Sequence, residues 1–157
     1  MNELRRKDKE IKDKTEIKAI LKKATVCRIA FSENNQPYIV PLNFGYKEDC
    51  LYFHSAPEGT KLSIIKRNNN VCFEVDEGYE LKKSAIPCNW SAKYRSVIGF
   101  GKAYFVEDIE EKKSALNCLV QKYSDTSVEY EFSEGIVDTI TIVRIKIACM
   151  TGKKSGY

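Results

Sequence analysis

The segment IVDTITIVRIKIACMTG, residues 136–152, is the longest β-branched run in the chain, and no other stretch limits the possible folds so strongly. It reads as a long strand, and the chain offers five further strand-like runs to pair with it. TVCRIAF (25–31) and PYIVPLNFGY (37–46) flank the turn-forming SENNQ and form a hairpin, in which Pro41 marks an edge or a bulge. After the polar turn KED comes CLYFHSA, and in VCFEVDEGYEL (71–81) Phe73 and Val75 alternate against Glu74 and Asp76. In YRSVIGFGKAYFVED (94–108), reached through the loop KKSAIPCNW, Gly99 and Gly101 leave one face bare for a sharp coil or a close neighbour.

Helical signals are short and lie between these runs. From Asp13 to Lys23 the apolar residues Ile17, Ala19, Ile20 and Leu21 fall near helical spacing, with Asp13 or Thr15 available as the cap. EGTKLSIIKRN suits a second helix ended by NNN, and Asp108 with Glu111 forms a capping signal for a third that runs to about Tyr123. Six or seven antiparallel strands with such helices between them predict a mainly β fold, a small β-barrel with peripheral helices.

At 157 residues, 43% of them hydrophobic, the chain can bury one core. We read residues 25–157 as the domain and residues 1–24 as a basic N-terminal arm and helix. The net charge of +4 resides wholly in residues 1–23, which hold nine Lys or Arg against five Asp or Glu. A basic head can touch nucleic acid or an anionic membrane, but mixed signs such as KDKEIKDK more often mark a solvated helix face, so neither partner is expected. No apolar run approaches the ~18 residues that span a bilayer. Six cysteines stand far apart without a C-x-x-C pair or a secretory signal, which predicts reduced thiols in the cytoplasm.

Several common chemistries lack their motifs. There is no G-x-G-x-x-G after a strand and no G-x-x-x-x-G-K-[ST], so a phosphate site has to be built from side chains and turn amides. One histidine and scattered cysteines give no zinc spacing, and no nucleophile motif accompanies His54, so no metal site is expected. Ser55 and Lys61 after the third strand, with Arg95 and Ser96 at the opening of the glycine-containing strand, can together hold a phosphate dianion; each alone also reads as an exposed polar residue. PLNFGY suits a flat heteroaromatic ring needing edge hydrogen bonds, or is an ordinary half-buried strand. Trp90 and Tyr94 carry the same two readings.

The ordered series CRIAF, PYIVPLNFGY, LYFHSAPEGTKL, VCFEV, W-x-x-x-Y-R-S-V-I-G-F-G-x-A and MTGKKSG resembles the pyridoxamine 5′-phosphate oxidase-like flavin-binding split-barrel proteins, in particular their 5-nitroimidazole resistance (Nim) branch. The likeness runs from about Thr25 to Gly156. It implies an FMN-binding split barrel that works as a homodimer, with FMN in two equivalent clefts at the subunit interface. It further implies that Lys61, Arg95 and Ser96, with Ser55 as a weaker member, bind the FMN phosphate. Pro41, Leu42 and Asn43 would run along the isoalloxazine edge, and His54 would face the substrate as the catalytic group.

The implied activity is an FMN-dependent oxidoreductase, a reductase of nitroaromatic or similar small electron acceptors supplied by a small-molecule electron donor. The alternative is a non-catalytic binder of flavin, deazaflavin or haem, serving as sensor or carrier. For His54 the competing reading is a histidine hydrogen-bonded within a strand end. No substrate set for pyridoxamine phosphate is recognisable, and the N-terminal arm carries no motif and can simply pack across the partner subunit.

Overall fold

The computed structural model describes residues 5–124 and 128–157, so the first four residues of the basic arm lie outside the described residues. Eight strands and four α-helices follow one another as β1 (Glu10–Ile11), α1 (Lys14–Lys23), β2 (Cys27–Glu33), β3 (Gln36–Leu42), β4 (Gly45–Lys47), β5 (Cys50–Ser55), α2 (Thr60–Arg67), β6 (Asn70–Lys82), β7 (Ser91–Phe105), α3 (Ile109–Tyr123), α4 (Glu134–Asp138) and β8 (Thr141–Ser155). Local chemistry explains the boundaries. Asn34 and Asn35, at φ 49° and 63°, and Glu48 and Asp49, at φ 51° and 56°, supply the left-handed residues that tight hairpins need. Asp13 caps α1 by accepting from the Thr15 amide at 2.8 Å, and Asp108 caps α3 by accepting from the Glu111 amide at 2.8 Å.

Every strand pairing is antiparallel, in the order β3-β2-β6-β7-β8-β5-β4, with β1 added to β8. β8 is the spine: β7 runs along one side of it, while β5 and then β1 share the other. β3 and β4 do not pair with each other, so the sheet stays open and the barrel is split. Pro41 lies on the edge strand β3, where its missing N–H takes no bond from a ladder.

The eight strands exceed the six or seven expected, for two reasons. PYIVPLNFGY breaks after Leu42, because Phe44 turns into the core and is fully buried, and its end becomes β4. The charged lead-in also holds a short strand, β1, with Ile11 buried against the sheet. The β-branched run 136–152 is likewise not all strand. Its first residues join α4, which buries Val137, and β8 starts at Thr141.

The inner face of the sheet carries the main core. Ile29, Phe31, Phe53, Phe73, Val75, Val97, Val143 and Ile145 interdigitate there with Ile17, Ile20 and Leu21 of α1 and Leu62 and Ile65 of α2. The helix before Thr25 is thus built into the core. A second, smaller cluster lies on the outer face, where Ala115 and Leu116 of α3 and Val137 of α4 cover Ile142. Elsewhere the outer face is open, and one row of it runs across five strands as Ile39, Ala30, Cys72, Phe100 and Cys149. Ile98, Phe100 and Tyr104 of β7 remain 40%, 42% and 39% exposed on that face, with Lys102 between the last two. None of the six cysteines is in a disulfide. Among the described residues, no helix is long and apolar enough to cross a membrane.

Candidate functional site

Strand alternation divides the expected site residues between the two faces. In β5, Leu51, Phe53 and Ser55 point inward, and His54 points outward beside Ile142 of β8. Ser55 is buried, and its Oγ has no hydrogen-bond partner. A buried hydroxyl without a partner is costly, so an acceptor or donor from outside the chain would satisfy it. The chain then passes through Gly59, at φ 144°, into α2, which begins without a side-chain cap. The Leu62 and Ser63 amides donate to the Gly59 carbonyl at 3.0 and 3.1 Å, which leaves the Thr60 and Lys61 amides of the first turn without a cap. A hydroxyl just before the β5–α2 connection and helix-terminal amides with a lysine just after it form a donor set suited to a phosphate at that corner of the chain.

His54 opens onto a cavity of about 400 Å³, shared with Asn43 and lined otherwise by Leu116, Val120, Tyr123 and Ile140 among others. The lining is predominantly apolar and holds no lysine, arginine or carboxylate, so it favours a small uncharged molecule with one polar edge. Asn43 and His54 thus come together although eleven positions separate them in the chain. Pro41 is exposed and pairs with Arg28, while Leu42 is half-buried against the core opposite Cys27. A larger cavity, about 790 Å³, lies between β4 and α3 among mixed lysines and glutamates. None of the expected site residues reaches it.

Arg95 and Ser96 stand apart from this corner. On β8, Ser55 pairs with Thr141 and Ser96 with Lys153, twelve positions further on. At ~3.3 Å per residue that is a separation on the order of 30 Å even in a coiled strand. Adjacent strand residues also face opposite ways. Ser96 lies on the open outer face, whereas Arg95 points to the α1 side, 28% exposed, with Nη1 3.3 Å from Glu77 and Nε 3.7 Å from Glu16. The ring of Tyr157 stacks on its guanidinium at 3.6 Å. One chain cannot place both sets on one phosphate.

The cavity wall from α3 was not read from the sequence as part of a site. Its signal was present, since Leu116, Leu119, Val120 and Tyr123 share one helical face. Nothing in that spacing says which side of the sheet the face will cover.

An open antiparallel sheet, curled about its core with helices at the rim and an apolar cavity between β5 and α3, defines a split-barrel domain. The chain belongs to the pyridoxamine 5′-phosphate oxidase family, whose profile matches residues 13–154. Its fold is similar to that of a candidate 5-nitroimidazole antibiotic resistance protein from Bacteroides thetaiotaomicron VPI-5482, at 36% identity and a TM-score of 0.81, over 92% of this chain and 85% of that one. It is also similar to the FAD binding protein from Mycobacterium smegmatis, at 25% identity and a TM-score of 0.63, over 94% of this chain and 99% of that one. The flavocytochrome Anf3 from Azotobacter vinelandii, at 20% identity, shares the fold with a TM-score of 0.85, over 99% of this chain and 73% of that one. No curated protein matches the chain.

Proposed function

We propose that this protein is an FMN-dependent oxidoreductase that reduces nitroaromatic or similar small electron acceptors, working as a homodimer in the cytoplasm. The observation that carries this reading is the adjacency of two unlike sites on β5. His54 opens onto an apolar cavity, and the next residue, Ser55, carries an unpartnered buried hydroxyl at the end of the strand, just before the connection to α2 and Lys61. A phosphate-bearing aromatic cofactor joins two such environments in one molecule. The likeness to a candidate 5-nitroimidazole resistance protein supports the choice of acceptor, and the likeness to an FAD binding protein supports a flavin.

When bound, the flavin would supply the electrons that the side chains of this chain cannot. Ser55, the Lys61 side chain and the Thr60 and Lys61 amides would hold its phosphate. Asn43, with the backbone of Pro41 and Leu42, would offer polar groups to the edge of its ring, and the apolar wall from α3 would exclude water. His54 would donate a hydrogen bond or a proton to an oxygen of the acceptor. Ser96, and Arg95 once released from Glu77, would complete the phosphate shell from the partner subunit, because the register keeps them from the site of their own chain.

The test is titration of purified protein with FMN and FAD in parallel, followed by reduction with NADH or NADPH and reoxidation by a nitroaromatic or a quinone. FMN should bind at one per chain, and Lys61→Ala should weaken it roughly 10- to 100-fold, the range for losing one charge-assisted contact. His54→Ala should keep its FMN and lose nitroaromatic turnover. Bound flavin without turnover would favour a carrier or sensor, and failure to bind either flavin would overturn the proposal.

A further inference from the structure

Phe44 stands where the chain leaves β3 for β4, and it is fully buried. Two consecutive residues in the last turn of α3 grip it in different ways. The Lys122 ammonium lies 3.2 Å from the centroid of the Phe44 ring and donates to the Leu21 carbonyl near the end of α1 at 2.7 Å. The Tyr123 hydroxyl accepts from the Phe44 amide at 2.9 Å and donates its one proton to the Thr25 carbonyl at 2.7 Å. Asn43, immediately before Phe44, belongs to neither strand, so no ladder bond fixes its backbone. Asn43, Tyr123 and His54 nevertheless line one cavity.

We infer that Lys122 and Tyr123 form a clamp on Phe44 whose role is to position Asn43 in the His54 cavity. The inference rests on the functional reading above for what Asn43 then touches, though the clamp itself does not. A side-chain amide aimed from a gap between two strands has many orientations open to it. Fixing the next amide and the next ring restricts that choice to few, so the polar edge presented to a ligand is organised before the ligand arrives. Neither clamp residue reaches the phosphate corner. Tyr123 is a positioning residue with a second place in the cavity wall, and Lys122 acts only through Phe44.

The experiment compares wild type with Tyr123→Phe and Lys122→Met in two measurements. The first is hydrogen exchange and side-chain amide NMR, with and without added FMN. Tyr123→Phe should exchange the Phe44 amide at least tenfold faster and broaden or shift the Asn43 side-chain amide, while amides of β6 and β7 stay protected. Lys122→Met should disturb the same two signals. The second is a double-mutant cycle with Asn43→Ala on FMN-loaded protein, read as the visible flavin spectrum and the KM for a nitroaromatic. Tyr123→Phe should keep its flavin, alter the spectrum and raise KM several-fold, and it should do neither once Asn43 is alanine. Unchanged exchange at Phe44 and an unmoved Asn43 amide would overturn the clamp even if the protein bound no flavin at all. Effects that simply add in the cycle would overturn the role of Asn43. Absence of flavin from wild type would overturn the functional reading alone.

Discussion

At the scale of single residues, the most informative groups are those whose surroundings change their protonation. Burial pushes the Lys122 amine down to about 8 from 10.5, with the thiols of Cys27 and Cys118 opposing the shift. Between those two values the unfolded chain holds a proton that the folded chain has shed, so stability rises with pH across that window. We predict that wild type gains on Lys122→Met by about 1–2 kcal/mol between pH 7.5 and 10, after allowing for solvent screening, as read from urea unfolding at both pH values. Equal slopes for the two proteins would refute the assignment. Cys27 works in the opposite direction, because burial pushes its thiol up to about 12 and the unfolded chain ionises first. Stability from that residue falls as pH rises above 9, and comparison against the lysine variant removes all of it except the part carried by the coupling between Cys27 and Lys122.

Among the elements, β7 shows how a strand is made to coil. A Cβ placed at Gly99 would lie 2.2 Å from Cζ of Phe73, and one at Gly101 would lie 2.4 Å from the Lys146 carbonyl oxygen. β8 answers with an irregularity, as Phe100 pairs with Cys149 and Gly101 with Ile147. Phe73 fills the space that Gly99 leaves and is itself fully buried, so it has nowhere to retreat. Gly99→Ala should therefore destabilise the protein by about 1–3 kcal/mol, the usual range for overpacking, with a lower denaturation midpoint and an unchanged m-value. A variant as stable as wild type would mean that the ring has room to move. The two glycines in alternate positions made this close approach readable from the chain, although the partner was not.

For the whole molecule, the question is what covers the open outer face. Its apolar row crosses five strands and ends beside Pro41 of the proposed ring site, while the two phosphate sets lie at opposite ends of the sheet. Two copies packed through that face would bury the row and carry Ser96 of each chain into the interface. Phe100→Asp puts a charge into that row and should give a monomer by sedimentation that has also lost FMN. A variant that stays dimeric and retains flavin would move the interface elsewhere on the surface.

The sequence by itself determined the β-rich class, three of the four helices with the caps of α1 and α3, and the hairpin turns, and it narrowed Pro41 to an edge or a bulge, because propensity, capping and turn chemistry act over a few residues. It also carried the block order that marks the family. Tertiary structure alone decided that PYIVPLNFGY breaks at Asn43–Phe44, since the burial of Phe44 depends on α1 and α3 closing over it. The meeting of Asn43 and His54 was likewise invisible, as was the separation of Arg95 and Ser96 from Ser55 and Lys61. Those relations follow from strand order, register and alternation of faces, which arise from pairing between distant segments and have no signature within any one of them.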